Sequence, residues 1–150
     1  MIKKYLIDWN NVIGKSKTLW EIQKREKQDS REQLALMIDR YFAGREIGVT
    51  IYFDGFEGQT SYFGKSIIKY SNSKTADDII RKDIENLDNP KITAVVSSDH
   101  SIQNLAKACS CKVIKSEDFI KKIENKFDNE SEQAKIKSID NDEIKRMFGV

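Results

Sequence analysis

Three apolar runs in this 150-residue chain end in an acid: Leu6-Ile7-Asp8, Tyr52-Phe53-Asp54 and Val95-Val96-Ser97-Ser98-Asp99. A further acidic pair, Asp77-Asp78, follows Thr75-Ala76 where a helical pattern opens. If the runs are strands of one parallel sheet, their carboxyl ends share an edge, where at least Asp8 and Asp99, with Asp77 or Asp78 as further candidates, can converge without special loops. Like charges gathered in that way are costly unless a cation neutralises them. A hard divalent ion does so, and Mg²⁺ in particular takes one or two carboxylates together with waters and phosphate oxygens. The chemistry this suggests is metal-assisted phosphodiester hydrolysis, in which the ion lowers the pKa of a water and balances charge on the scissile phosphate.

Each acid taken alone also has a purely structural use. Asp54-Gly55 reads as a turn, Asp77 or Asp78 as a helix-start residue, and Asp99 as a helix N-cap. Asp8 is different, because an acid closing a buried first strand has no turn or capping duty demanded by its neighbours. The joint pattern, not any single member, points to a site.

The elements that must position these residues follow from periodicity. Tyr5-Leu6-Ile7 is a first strand, after which Val12-Ile13-Gly14 turns away. Leu34, Ile38, Tyr41 and Phe42 form an apolar helical stripe, with Asp29-Ser30 as its expected cap. Leu19 to Gln28 is then a separate helix or loop that Trp20 and Ile22 anchor to the body. Val49 to Phe53 is a second strand, the Gly-punctuated stretch Phe56 to Gly64 a loop or hairpin tip, and Ser66 to Tyr70 a short strand. Thr75 to Asp78 opens a helix buried through Ile79, Ile80, Ile84 and Leu87, and Pro90 stops any continuation. Ile92 to Val96 is a near-continuous apolar run, as in strands buried on both faces. A helix with Ile102, Leu105 and Ala106, a last strand Lys112 to Ile114, and a helix from Ser116 to about Phe127 complete the body. Strands alternating with helices predict an α/β fold with a parallel sheet covered on both sides. Residues 1–127 are expected to form this domain, and residues 128–150 a polar linker ending in a short helix that packs Ile144, Met147 and Phe148 back onto it.

A hydrophobic fraction of 39% with seven Phe, five Tyr and two Trp excludes wholesale disorder, and 33% charged residues imply a well-solvated surface. No apolar run approaches the roughly 20 residues that span a bilayer. With no leader-like segment after Met1, a cytoplasmic location is expected. One His and two Cys support no zinc site, and Cys109 and Cys111, one residue apart, suit free thiols better than a disulfide. A net charge of +2 excludes a histone-like binder. Local cations at Lys15, Lys17, Lys24, Arg25, Lys27 and Arg31 suit phosphates, although interleaved Glu21, Glu26, Asp29 and Glu32 equally describe a solvated helix face.

The succession IDWNNVIG, VTIYFDG, SKTADDIIRKDIE and ITAVVSSDHSIQNLAKACSCKVIKSEDF resembles the NYN branch of the PIN-like ribonucleases, most closely the bacterial YacP-like group. The likeness spans residues 3–120. Asp8 and Asn11 match a D-x-x-N motif, Thr75-Ala76-Asp77 a T-A-D motif, and Ser97 and Asp99 an S-x-D motif. Trp9 and Asn10 depart from the usual filler and leave the motif intact. The resemblance implies a PIN-like, Rossmannoid three-layer fold with a central, mostly parallel sheet flanked by helices. It also implies endonuclease action on RNA at an acidic Mg²⁺ or Mn²⁺ site. By the same resemblance Asp8, Asp77 and Asp99 are metal-ligating acids, Asn11 and Asp78 supporting catalytic residues, and Asp54 an accessory acid.

On this reading Ser97 and Ser98 position a water or phosphate, while Lys15, Lys17 and Lys74 hold the backbone of an RNA that is free or presented by a protein or ribonucleoprotein partner. Trp9, Tyr62 or Phe63 would stack bases if they were exposed, but core packing suits them better. Two rival readings remain: a phosphoacceptor receiver domain, which also has an α/β sheet with an acid after an early strand and would use Asp54 as the acceptor, and an RNA-binding or toxin–antitoxin-type module that keeps the fold without turnover. The receiver reading gives Asp77, Asp78 and Asp99 no role. The second rival is separated from a nuclease by whether RNA is cut.

Overall fold

The computed structural model describes residues 1–25, 27–56 and 65–126. The chain runs β1 (Lys4–Asp8), α1 (Trp9–Ile13), α2 (Lys17–Arg25), α3 (Lys27–Tyr41), β2 (Gly48–Phe53), β3 (Ile67–Tyr70), α4 (Ala76–Glu85), β4 (Thr93–Val96), α5 (His100–Ala108) and β5 (Lys112–Ile114). A last helix, α6, covers residues 116–126. The five strands form one parallel sheet in the order β3-β2-β1-β4-β5. β1 lies at its centre, and the strand order reverses beside it, between β1 and β4. In open parallel sheets that reversal point is where ligands bind, outside the strand C-termini.

Central strands in such a sheet are covered on both faces, which is why they read as apolar runs. Ile7, Ile51, Phe53 and Val96 are buried on one face with Trp9, Leu19, Leu34, Ile38 and Phe119 from the helices that cover it. Leu6, Tyr52 and Val95 are buried on the other with Ala76, Ile80 and Ile84 of α4 and Ile102 and Ala106 of α5. The alternation of strand residues between faces therefore divides the helices into two layers around the sheet, as an α/β reading requires.

Three local expectations change. Ser30 lies inside α3 and does not cap it, because that helix already includes Lys27. Leu19, 1% exposed, anchors α2 where Trp20 was expected to; Trp20 is 46% exposed. One step along a helix turns a side chain by about 100°, which here carries the chain from the buried Leu19 to the exposed Trp20. Pro90 opens a short 3₁₀ turn, Pro90–Ile92, leading into β4, well after α4 has ended. Cys109 and Cys111 are free thiols. The expected linker and C-terminal helix, residues 128–150, and the stretch 57–64 lie outside the described residues, as do Tyr62 and Phe63.

Trp9 is fully buried, its ring set edge-on against Phe53 with centroids 5.1 Å apart. It belongs to the core and is not a base-stacking surface. Trp9→Ala is expected to lower the unfolding free energy by about 3–5 kcal/mol, the range for deleting a large buried aromatic; urea denaturation measures it, and a loss below about 1 kcal/mol would contradict this packing.

Candidate active site at the carboxyl edge of the sheet

Register brings the first two parts of the site together. Ile7 pairs with Val96, so the next residues, Asp8 and Ser97, leave adjacent strands side by side. The Ser97 hydroxyl donates to Asp8 Oδ2 at 3.2 Å and accepts from the Asp99 backbone N–H at 3.1 Å. Asn11, one turn into α1, donates to the same Asp8 oxygen at 3.3 Å, and its Oδ1 accepts from the Ser98 N–H at 3.0 Å. Ser97 and Asn11 thus tie the ends of β1 and β4 to each other through one carboxylate. Gln103 of α5 adds a hydrogen bond to the Ser97 carbonyl at 2.8 Å.

Asp54 approaches from β2. Its Oδ1 accepts from the Ala76 N–H at 2.5 Å, joining the strand end to the first turn of α4, and its Oδ2 accepts from Asn10. Gly55 then turns the chain at φ 90°, where a Cβ would be strained. Asp78 closes a capping box with Thr75, and Asp99 caps α5 by accepting from the N–H groups of Ser101 and Ile102. Both acids therefore have the structural use considered from sequence. The Asp99 cap engages Oδ1.

The electrostatics centre on Asp8. Only 6% exposed, it has its pKa pushed up to about 6, first by burial and also by the negative charges of Asp54 and Asp77; its bonds to Ser97 and Asn11 pull the other way. Asp77 lies in the same field. Its Oδ2 accepts from Arg81 at 2.7 Å, while its Oδ1 is buried with no hydrogen-bond partner among the described residues. Arg81 also donates to Ser101 at the start of α5 and sits within the field of Asp99 and Asp78. It is a counter-ion shared by the acids of α4 and α5.

Of the expected site residues, Asp8, Asn11, Ser97, Ser98 and Asp99 are joined by hydrogen bonds, and Asp77 and Asp54 reach Asp8 through their charges. Among the described residues no group of three or more His, Cys, Asp or Glu stands close enough to hold an ion by itself. Mg²⁺ does not require one, since it keeps several waters and binds through one or two carboxylates. A desolvated carboxylate at Asp8 and an unpartnered buried oxygen at Asp77 are suitable donors for such an ion, so the residues fit. Lys15 and Lys17 lie at the α1–α2 turn and Lys74 on the loop before α4, all three exposed.

Two contributors escaped the sequence. Arg31, expected among the surface cations, is 4% exposed. Its guanidinium lies 4.9 Å from the Phe53 ring, 5.5 Å from Tyr70 and 5.8 Å from Trp9, and donates to the Asp54 carbonyl at 2.9 Å. It braces the end of β2 and is not placed to grip RNA. The burial of Trp9 was the accessible signal, because its ring forms one wall of that slot. Glu117 accepts from the Ser98 hydroxyl at 2.6 Å, and that bond, with Lys15 nearby, holds its carboxyl below the usual range. Ser98 Oγ in turn accepts from the Ser116 N–H at 3.0 Å, so α6 is pinned to the site. Nothing in the sequence distinguishes Glu117 from other acids at a helix start.

The three-layer α/β sandwich, with acids at the switch point of its parallel sheet, matches a YacP crystal structure and is a PIN-like fold. Residues 5–148 match the sequence model of the YacP-like NYN domain, and the chain belongs to that family. It is similar to the crystal structure of Rae1 (YacP) from Bacillus subtilis, with a TM-score of 0.75 and 17% identity over 99% of this chain and 88% of that one. It is likewise similar to the W164L mutant of that protein, with a TM-score of 0.69 and 23% identity over 91% and 85% of the two chains. No curated protein matches.

The raised Asp8 pKa has a consequence for stability. The folded state holds this proton more tightly than the unfolded chain does, so the stability involved is complete below the ordinary value of 3.8 and is lost as pH rises through about 6. The loss is on the order of 3 kcal/mol at 1.36 kcal/mol per pH unit. In EDTA, Asp8→Asn is therefore expected to be more stable than the wild type at pH 8, by about 1–3 kcal/mol, and to match it near pH 4. Urea titrations at the two pH values test this, and an Asn variant that is less stable at pH 8 would contradict it.

Proposed function

We propose that this chain is a metal-dependent endoribonuclease that hydrolyses RNA phosphodiester bonds with Mg²⁺ or Mn²⁺. NYN-family proteins are generally ribonucleases, and the observation that carries the reading here is the buried Asp8 carboxylate, fixed by Ser97 and Asn11 within the field of Asp77. Asp8 and Asp77 would hold the ion together with waters, while Asn11, Asp78 and Asp99, each engaged in hydrogen bonds of its own, would support the site. A bound divalent ion supplies charge balance at the scissile phosphate and acidifies a water. The protein's own part is to orient and exclude. Ser97 and Asn11 keep the Asp8 carboxylate from rotating, the sheet beneath it keeps water out, and Asp54, committed to Asn10 and Ala76, holds α4 and hence Asp77 in place. Lys15, Lys17 and Lys74 hold the RNA backbone, because α1 and α4 pack on opposite faces of the sheet and place cations on both sides of its edge. With its carboxylate so engaged, Asp54 suits a positioning role better than that of a phosphoacceptor.

Labelled single-stranded RNA incubated with the wild type should be cut in Mg²⁺ or Mn²⁺ and left whole in EDTA. Asp8→Asn should cut at least about a hundredfold more slowly, the scale of losing a charge-stabilising group. Equal decay in every sample would reject the reading. Independently of activity, Mg²⁺ should raise the melting temperature of the wild type at pH 8 and leave that of Asp8→Asn unmoved.

A further inference from the structure

α2 turns two faces in opposite directions. Leu19 is buried on the core, whereas Trp20 shares the outer face with Lys17, three residues before it, and Lys24, four after it. The Lys24 ammonium lies 5.5 Å from the Trp20 ring centroid, and the ring is still 46% exposed. The preceding turn adds Lys15, and together Gly14, Lys15, Ser16, Lys17 and Trp20 line an open recess of about 480 Å³. Only Glu21 is acidic between Lys15 and Arg25.

The patch is rigidly mounted. The buried Ser16 hydroxyl donates to Glu124 of α6 at 2.6 Å and accepts from the Leu19 N–H at 3.3 Å, so one side chain caps α2 and ties it to the body. It is also continuous with the acidic edge. Lys15 lies in the field of Glu117, Glu117 holds Ser98, and the Ser98 N–H meets Asn11 beside Asp8.

A large exposed aromatic costs apolar area in water, and three lysines around it do not hide that area. They do attract polyanions. A planar ring that accepts any base, set among cations spaced to meet a backbone, is the chemistry of a single-stranded nucleic-acid platform. We propose that Trp20 stacks a base of single-stranded RNA while Lys15, Lys17 and Lys24 meet the flanking phosphates, making the outer face of α2 an extension of the substrate path beyond the acidic edge. The assignment rests on the RNA-hydrolase reading for its choice of ligand.

Binding of a short fluorescein-labelled single-stranded RNA is measured by anisotropy in EDTA, which separates binding from cleavage. Trp20→Ala should weaken binding roughly tenfold, within the range for losing one stacked base, with the salt dependence unchanged, and Trp20→Phe should restore most of the loss. Lys15→Gln and Lys17→Gln should weaken binding and also lower the slope of log K against log salt by about 0.7 each. An abasic oligomer of the same length should bind the wild type and Trp20→Ala alike. The platform is overturned if Trp20→Ala binds the ordinary RNA as tightly as the wild type. It is equally overturned if the abasic oligomer loses affinity to that substitution by the same factor, which would make the face a charge patch of the sort that also suits acidic proteins. Cleavage in Mg²⁺ is followed in parallel. RNA cut normally by a protein whose binding ignores Trp20 overturns the platform and leaves the hydrolase reading standing, whereas Trp20-dependent binding by a protein that never cuts supports the platform and removes the hydrolase reading.

Discussion

Asp8 is a carboxylate placed at the end of a central strand, almost out of reach of water and within the field of two further acids. Its ionised form is disfavoured there on two counts, by lost hydration and by repulsion. The contacts around it answer that constraint. Two uncharged donors, the Ser97 hydroxyl and the Asn11 amide, meet a single carboxylate oxygen, and each is itself fixed by the β4–α5 turn. Neither brings a full positive charge. No full positive charge among these two partners of Asp8 offsets its burial and repulsion, and the proposed metal binding rests on that property.

The two arginines near the edge show how the same side chain serves opposite ends. Arg81 is partly exposed, paired with Asp77, and within the field of Asp99 at the start of α5. A partly exposed pair of that kind contributes little stability. Arg31 is enclosed by three aromatic rings and fixed to a backbone carbonyl; burial lowers its pKa. A planar, weakly hydrated guanidinium tolerates that slot where an ammonium would not. One arginine moderates the charge of the site and the other holds its scaffold.

How far the sequence carried the structure depended on the range of each interaction. Strands at Tyr5-Leu6-Ile7, Val49 to Phe53 and Ile92 to Val96 were readable because burial on both faces removes polar residues from the run itself, and parallel pairing then brought Asp8, Asp54 and Asp99 to one edge. The helix start at Thr75 to Asp78 and the cap at Asp99 were readable because capping is settled within four residues. What could not be read was direction around a helix axis and identity across the sheet. Whether Trp20 or Leu19 faced inward turned on one residue of phase in a short helix whose apolar pattern is sparse. The burial of Arg31 depends on Trp9, Phe53 and Tyr70, which meet only in three dimensions, and the bond between Glu117 and Ser98 joins the starts of two helices that no local pattern connects.

Every pairing in the sheet is parallel, so no two neighbouring strands are joined by a tight hairpin. β1 must wait for β2, some forty residues on, and for β4, nearly ninety residues on, before either of its edges is satisfied. Such distant closures are slow, because loop entropy is lost before the contacts repay it. The bond from Ser97 to Asp8 spans 89 residues, and it cannot form until β4 has docked beside β1. A chain in which β4 has not docked therefore lacks Ser97 and Asp99 at the edge and leaves Asp8 without its Ser97 bond. Any role that needs the Ser97 bond to Asp8 therefore waits for β4 to dock.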